Sequence, residues 1–341
     1  MPFFSAKVPS DFEGTERLDK YIASLPNGMN RSKLKSGVTE ILVNGKKVKI
    51  SQKVKGGDQI DIQWEDNIPD DITPENIPLE ILYEDDNVTV VNKAQGMVTH
   101  PACGNWTGTL VNALLYHWGR EAFSAVKEGS DAEILSSRRP GIVHRLDKET
   151  SGIIITAKNR DSEEWLQTQF KDKSLQKEYI CICIGRPKQR TGDIRTQIIR
   201  DPKNRHRFKA VTDTDDGKYA RTIYHCIACY GNYSLMRVRI KTGRTHQIRV
   251  HMKYLGCPIL GDSVYAKPDS LFKDANLMLH SVQLKIRLPG VSGAGAKEYT
   301  TFRTPTPTRF IEIQKKLKKK FPKEILPSVK PSTAGKSKGG K

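Results

Sequence analysis

An α+β fold built on a mixed, largely antiparallel β-sheet flanked by helices is predicted by three features of the 341-residue chain. Apolar, β-branched runs such as Ile153-Ile154-Ile155-Thr156 recur without the regular strand–helix alternation of a doubly wound parallel sheet. Residues 222–230 and 234–241 flank Gly231-Asn232, the pattern of an antiparallel hairpin. A few segments carry apolar residues at helical spacing and supply the flanking helices. With 37% hydrophobic residues the chain can bury a real core. The pattern divides into a small α/β domain over residues 15–64 and a larger domain over residues 81–310.

In the first domain, Leu18, Ile22 and Leu25 recur at helical spacing behind Thr15, an N-cap candidate. Asn30 stands at the head of a second short helix carrying Arg31, Lys33 and Lys35. Asn44-Gly45 then marks a tight hairpin with Lys46 and Lys47 just past the turn, and residues 59–64 alternate as a further strand. This order, with Arg17-Leu18-Asp19-Lys20 and Leu42-Val43-Asn44-Gly45-Lys46, resembles the RNA-binding domain named after ribosomal protein S-four. The resemblance implies RNA contacts through Arg31, Lys33, Lys46 and Lys47; a solvated basic face is the alternative.

Residues 65–80 are acidic and punctuated by Pro69, Pro74 and Pro78, which predicts an extended linker. In the larger domain, Asp85-Asp86-Asn87 turns between two short apolar strands. Leu110, Ala113, Leu114 and His117 share one helical face. A second helix is expected from Asp161, its cap, to about Lys171, with Glu164 reaching back and Trp165, Leu166 and Phe170 on the buried side. Residues 311–341 hold ten Lys against two Glu, and with Pro, Gly and Ser accumulating toward the end they predict a basic, disordered tail.

Lys and Arg exceed Asp and Glu by 57 to 38, a balance of +19 that favours a polyanionic partner. The tail accounts for +8 of it, so the body remains basic at +11. Met1-Pro2-Phe3-Phe4-Ser5 does not open a signal peptide and no apolar run approaches membrane-spanning length, so a soluble, cytoplasmic protein with no membrane partner is expected, and a monomer is expected beside it. Six cysteines in this length fit reduced thiols. Cys181 and Cys183 alternate with isoleucines as strand residues do, and Cys226 and Cys229 also lie within a strand, which argues against zinc at either pair.

The most chemical stretch is His144-Arg145-Leu146-Asp147-Lys148-Glu149-Thr150-Ser151-Gly152, a polar loop between the apolar runs at 141–143 and 153–156. A carboxylate at the mouth of a sheet is accessible yet rigidly held. An ion pair of Asp147 with Arg145 or Lys148 is the plainer reading. Downstream, Gly243 ends a strand and Arg244-Thr245-His246-Gln247-Ile248-Arg249 enters a helix whose buried side is Ile248, Met252 and Leu255, with Gly256 ending it. His246 and Arg249 lie three apart and share a face. A guanidinium aimed into a cleft lowers the pKa of a facing carboxylate; phosphate binding by Arg249 and a structural role for His246 are the alternatives. Tyr179 shares a strand face with Cys181 and Cys183, where it either stacks on a flat ring or fills the core.

Taken together, His144-Arg145-Leu146-Asp147 with Thr150-Ser151-Gly152, Lys177-x-Tyr179 closing at Gly185, residues 243–251 and Leu260-Gly261-Asp262 resemble the RluA-type pseudouridine synthases, over nearly the whole chain from Thr15 to about Phe310. The resemblance implies an isomerase that converts uridine to pseudouridine in structured RNA, with large-subunit ribosomal RNA favoured and transfer RNA the other option. It needs no cofactor and no metal. Asp147 is then the essential nucleophile or base, Tyr179 stacks on the target uracil and is the candidate for the final proton loss, and Arg249 pairs with the aspartate. Arg145 helps displace the base, and His144, Arg244 and His246 fall among the RNA-binding residues. Cys181 and Cys183 stand where the family has small apolar residues, and Ala94 replaces a usual proline. The competing readings are a non-catalytic RNA-binding factor for ribosome assembly and a hydrolase that releases uracil.

Overall fold

A computed structural model describes residues 3–25, 34, 38–64, 71–102, 104–119, 123–124, 140–204, 207–212, 214, 216–290, 296 and 298–327. The chain forms two compact units, residues 1–70 and 71–341. The first contains β1 (Phe3–Lys7), β2 (Glu16–Arg17), α1 (Leu18–Ser24), β3 (Val38–Val43), β4 (Lys46–Lys47), β5 (Lys53–Val54) and β6 (Gln59–Trp64). Its four-stranded sheet runs β1-β6-β3-β4, all neighbours antiparallel, and β2 pairs with β5. The hairpin expected at Asn44-Gly45 is present, with φ positive at both turn residues (52° and 73°), as this two-residue turn requires. Asp58 accepts from Asn44 Nδ2 and Lys55 N–H, and Asn44 Oδ1 accepts Gln59 N–H, which fastens the turn to β6. Leu18, Ile22, Ile41, Ile60 and Ile62 form the core of this unit.

Two expectations change here. The unit starts at β1, not at residue 15, because Phe3–Lys7 pairs with β6 along its length. The residue preceding α1 is Arg17, without a side-chain cap; Glu16 and Arg17 are drawn into pairing with β5, which leaves Thr15 outside the helix start. Arg31, Lys33 and Lys35, with the helix expected to carry them, lie outside the described residues.

The second unit comprises β7 (Asp71–Ile72), β8 (Ile81–Glu84), β9 (Val88–Lys93), α2 (Leu110–His117), β10 (Phe123–Ser124), β11 (Ser151–Ala157), α3 (Arg160–Asp172), β12 (Gln176–Ile184) and β13 (Thr191–Arg200). It continues with β14 (Phe208–Val211), β15 (Lys218–Tyr230), β16 (Tyr233–Ile240), α4 (Gln247–Tyr254), β17 (Leu279–Ile286), β18 (Thr300–Arg303), α5 (Thr308–Lys320) and β19 (Lys323–Glu324). Nine strands order as β14-β13-β15-β16-β12-β17-β11-β9-β8, with β18 added to β17 and β19 to β15. Among the described strands of this sheet only β11 and β17 pair in parallel, so it is mixed and largely antiparallel, as the sequence predicts. That parallel step needs Gly152: a Cβ there would lie 2.2 Å from the Ser281 carbonyl oxygen. The hairpin around Gly231 joins β15 to β16.

The segment before Asp147 is not a full strand. It runs beside β11, with Ala157 N–H bonded to Gly141 O, Ile142 bridging Thr156 and Ile155 N–H donating to His144 Nε2. Helix α3 starts two residues earlier than expected, because Asn159 rather than Asp161 accepts the Ser162 N–H. Residues 71–80, expected in the linker, belong to the second unit: Asp71–Ile72 pairs with β10, Glu75 accepts Gly108 N–H, and Thr73 O accepts Asn112 Nδ2. The stretch is extended, as its prolines dictate, but its polar groups are tied to the N-terminal turn of α2.

The expected disordered tail from residue 311 is corrected as far as residue 327, and residues 328–341 lie outside the described residues. Phe310, Ile313 and Leu317, spaced three and four apart, are buried in the main core, so α5 is an integral helix. Its lysines cover the outer face, and Lys318, Lys319 and Lys320 sit in the last turn, where the helix dipole favours cations. Replacing Phe310 with Ala should lower the unfolding free energy by about 3–5 kcal/mol, whereas Lys319→Ala should change it by no more than about 0.5 kcal/mol. Urea denaturation followed by circular dichroism would measure both, and coincident midpoints would show that α5 does not belong to the core.

Candidate active site

Three segments converge at the C-terminal end of β16 and the start of β11: the loop 144–150, the strand residues Lys177 and Tyr179, and the turn 243–249 leading into α4. They line a cleft of about 590 Å³ when its open mouth is included. Arg145, Asp147, Tyr179, Arg244, His246 and Arg249 all line it, so six residues selected from the sequence come together. Among the described residues, Asp147 is the only carboxylate in its lining.

The Asp147 loop is clamped from behind by the segment after β9. Lys93, fully buried, donates from Nζ to the carbonyls of Ala94 (2.8 Å), Met97 (2.7 Å) and Lys148 (3.3 Å). Gln95 Nε2 donates to Glu149 O, Thr99 Oγ1 to Leu146 O and Gly96 N–H to Lys148 O. The carbonyls on either side of Asp147 are therefore satisfied by a rigid neighbour, and Thr150 N–H closes a turn on Asp147 O. Burial pulls the Lys93 ammonium down to about 7, against the opposing charges of Asp147 and Glu149.

Arg249 is held by Asp262 through two parallel hydrogen bonds, Nε to Oδ2 and Nη2 to Oδ1, both 2.8 Å. Its remaining nitrogen, Nη1, lies 3.5 Å from Asp147 Oδ2. Asp262 is itself oriented by Val264 and Tyr265 N–H groups. The turn that presents it depends on Gly261, with φ 76°, where a Cβ would lie 2.2 Å from the Asn276 carbonyl oxygen. The role of Asp262 was not read from the sequence, although it lies in a quoted motif; a buried aspartate after a glycine turn was the available signal. Burial opposes the charge of Arg249, but the paired Asp262 and nearby Asp147 carry its pKa above the usual value.

His246 stands at the N-cap of α4 with φ 54°, a left-handed conformation for which His is more tolerant than most residues. Its Nδ1 lies 2.9 Å from Tyr265 OH, and that oxygen accepts Phe208 N–H. Donation from Tyr265 to Nδ1 would put the ring proton on Nε2, which lies 3.9 Å from Asp147 Oδ2. Burial, only partly offset by Asp147, lowers the His246 pKa, so the ring is neutral at pH 7. Gln247 locks the turn by accepting from Thr242 Oγ1 and Arg244 N–H and donating to Arg221 O and Thr222 Oγ1.

His144 is corrected to a structural residue. It is absent from the cleft lining, accepts Ile155 N–H at 3.1 Å and stacks on Phe170 at 4.6 Å between centroids. Burial and the nearby Lys177 charge push its pKa well below the usual value, so it is neutral. Tyr179 lies in the cleft wall, hydrogen-bonded to Ser281, and burial drives its hydroxyl far above the ordinary tyrosine range. A phenolate base is therefore disfavoured at neutral pH; the ring is 5% exposed and packs in the main core at the cleft wall. Lys46 and Lys47 are exposed on β4 of the first unit, and Arg31 and Lys33 are outside the described residues.

Cys181, Cys183, Cys226, Cys229 and Cys257 are buried free thiols, and among the described residues no cluster of metal-binding side chains occurs. Burial, the main cause, raises Cys226 to about 12 and Cys257 to about 11, so they remain uncharged packing groups.

A cation-rimmed cleft around one carboxylate, on a mixed sheet, defines an enzyme for a polyanionic substrate. Residues 87–254 match the family model described as RNA pseudouridylate synthase. The chain is 42% identical over 305 residues to the ribosomal large subunit pseudouridine synthase D of Borreliella burgdorferi, covering 88% of this chain and 89% of that protein. It is 37% identical over 313 residues to the uncharacterized RNA pseudouridine synthase YlyB of Bacillus subtilis, with 91% and 97% covered. The solved structure of human RNA pseudouridylate synthase domain containing 1 shares the fold, with TM-score 0.54 at 22% identity over 75% of this chain and 92% of that one. The chain belongs to the RluA-type family of RNA pseudouridine synthases. It is thus an isomerase of uridine in RNA, and the assembly-factor and hydrolase readings are set aside.

Asp262→Ala should free Arg249 to rotate away from Asp147 and reduce kcat by about 10²-fold, the usual scale for misplacing a reacting group by an ångström. RNA affinity should stay within a few fold. Loss of the buried pair should also cost about 3–5 kcal/mol of stability. Steady-state kinetics with a filter-binding measurement would separate these effects, and a change in KM alone would contradict the orienting role of Asp262.

Proposed function

We propose that Asp147 is the essential carboxylate of the isomerisation and that the RNA it serves is large-subunit ribosomal RNA. The observation that carries the first part is the cleft itself: a single carboxylate, backed by a clamped loop, faces Arg249 and His246. The ribosomal assignment is supported by the name of the Borreliella relative, while transfer RNA remains the competing substrate.

The reaction must break the bond between ribose C1′ and uracil N1, turn the freed base and join C5 to C1′. The Asp147 carboxylate either adds to C1′ or removes a ribose proton to leave a glycal, and each route needs it ionised and aimed. Arg249 offsets the cost of holding that charge in a partly desolvated cleft. The ring of Tyr179 stacks on the everted uracil, and Arg145, exposed on the loop two residues before Asp147, occupies the place from which the base was drawn. Arg244 and His246 face the backbone beside it. The proton on C5 must leave last, and the raised hydroxyl pKa makes Tyr179 a poor acceptor for it.

The first unit serves as a grip on structured RNA, by its resemblance to the S-four domain and the exposed lysines on its hairpin. Such phosphate contacts would make binding salt-sensitive. The described residues contain no helix long and apolar enough to cross a membrane, and a cytoplasmic monomer acting on ribosomal RNA fits this reading.

Asp147→Asn should abolish pseudouridine formation while RNA affinity changes by no more than a few fold. Ribosomal RNA from a synthase-deficient host is the substrate to assay, and conversion by this variant would remove Asp147 from the mechanism. Mapping pseudouridines in total RNA with and without the gene should show the missing site in the large subunit; a site missing only in transfer RNA would redirect the substrate assignment. Deleting residues 1–64 should raise the Kd for structured RNA more than it lowers turnover at saturation, and equal activity at limiting RNA would count against the grip.

A further inference from the structure

Lys177 lines the cleft, yet among the described residues no carboxylate faces its ammonium. It precedes Tyr179 by two positions on β12, so both side chains leave the same face of the strand. Its Nζ sits 5.1 Å from the centroid of the Phe170 ring. The neighbouring loops bring the neutral His144 ring and the Gly243 backbone. Ile240 on β16 and Leu284 on β17 flank it in register. Glu178, next along the chain, points to the opposite face and is bound by Arg239.

The other cations of the cleft are engaged or open to water. Arg249 is committed to Asp262 and Asp147, Arg244 donates from Nε to Tyr219 O, and Arg145 is exposed. Lys177 is therefore a half-buried positive charge for which the described residues supply no anion. The reaction does supply one. When the bond from C1′ to N1 breaks, its electron pair departs with the base, whether Asp147 has added to C1′ or taken a ribose proton. The detached uracil is then an anion, its charge spread over N1 and the carbonyl oxygens. The charge disappears when C5 returns an electron pair to C1′, and the C5 proton is finally lost as N1 regains one.

Resting on the assignment of Asp147 as the group facing the target uridine, we propose that Lys177 stabilises the detached uracil anion. It does so as a fixed cation beside the stacking ring of Tyr179, keeping its proton throughout, so the assistance is electrostatic and strengthened by partial burial. It touches the departing base and is a catalytic residue for bond cleavage rather than a general anchor for RNA.

Burial also brings the Lys177 pKa down to about 8. The charged form is present below that value and is lost above it, so activity should decline as the pH rises through about 8. Lys177→Met should slow single-turnover conversion by about 10²-fold, the scale of removing one preorganised charge-stabilising group, with RNA affinity within a few fold. Lys177→Arg, which cannot lose its proton in this range, should recover part of the rate and move the alkaline decline upward. RNA carrying 5-fluorouridine at the target position offers an internal control, because fluorine makes the departing base a weaker base that needs less help. The Lys177→Met deficit in glycosidic bond cleavage should shrink several-fold on that substrate. An equal deficit on both bases, together with an unmoved alkaline limb in Lys177→Arg, would overturn the proposal. Wild-type rates in Lys177→Met beside a dead Asp147→Asn would sink Lys177 alone, whereas an active Asp147→Asn would remove the site assignment beneath it.

Discussion

The cleft depends on one guanidinium shared unequally between two aspartates. Asp262 takes two short parallel hydrogen bonds from Arg249, leaving the third nitrogen 3.5 Å from Asp147. Were both carboxylates equal partners, Asp147 would be locked in a bidentate pair and unavailable to a substrate. The buried Asp262 instead fixes the direction of the guanidinium, and its own desolvation is offset by the N–H groups of Val264 and Tyr265. Asp147 then receives a positive neighbour without being consumed by it. That arrangement forces α4, the turn at 261–265 and the loop 144–150 to meet, and the order of strands around β12 brings their ends together.

Rigidity comes from the far side of the loop. Lys93, Gln95, Gly96 and Thr99 bind backbone carbonyls at positions 146, 148 and 149. These contacts leave the Asp147 side chain free while removing the freedom of the peptide groups around it. A carboxylate on a loop is thereby held almost as firmly as one on a strand. The same contacts account for the pattern Asn92-Lys93-Ala94-Gln95-Gly96, which carries no evident chemistry in the sequence because its partners are main-chain atoms some 55 residues away.

Much of the fold was legible because its signals are local. Asn44-Gly45, Asp85-Asp86-Asn87 and Gly231-Asn232 each announce a turn through backbone preferences that hold in any context. The residues around the cleft were legible for another reason: Asp147, Arg249 and Tyr179 sit in dense motifs whose charge and spacing stand out. What failed depended on distant partners. The helix α5 looked like a solvated lysine tail because only three of its residues face the core. His144 looked like a ligand-binding group, but the unpaired Ile155 N–H and the Phe170 ring claim it. The extended chain at 71–80 looked like a linker because its anchor on α2 is invisible until the helix is placed.

The shifts around the cleft point in one electrostatic direction. Tyr179 is driven up, and His144, His246, Lys177 and Lys93 are driven down, each with burial as the largest cause. These five groups are pressed toward neutrality by burial, the mark of surroundings that screen charge poorly. In such surroundings a carboxylate retained beside Arg249 faces little competition from water for its partners. By the same physics an anion formed there would be costly unless a cation already stood near it. Two acids on the strands behind the cleft are spent elsewhere, Glu178 on Arg239 and Asp193 on Arg195 and Arg221. The positive excess at the cleft is therefore left for a polyanionic substrate, and on the proposal for Lys177 part of it serves the departing base.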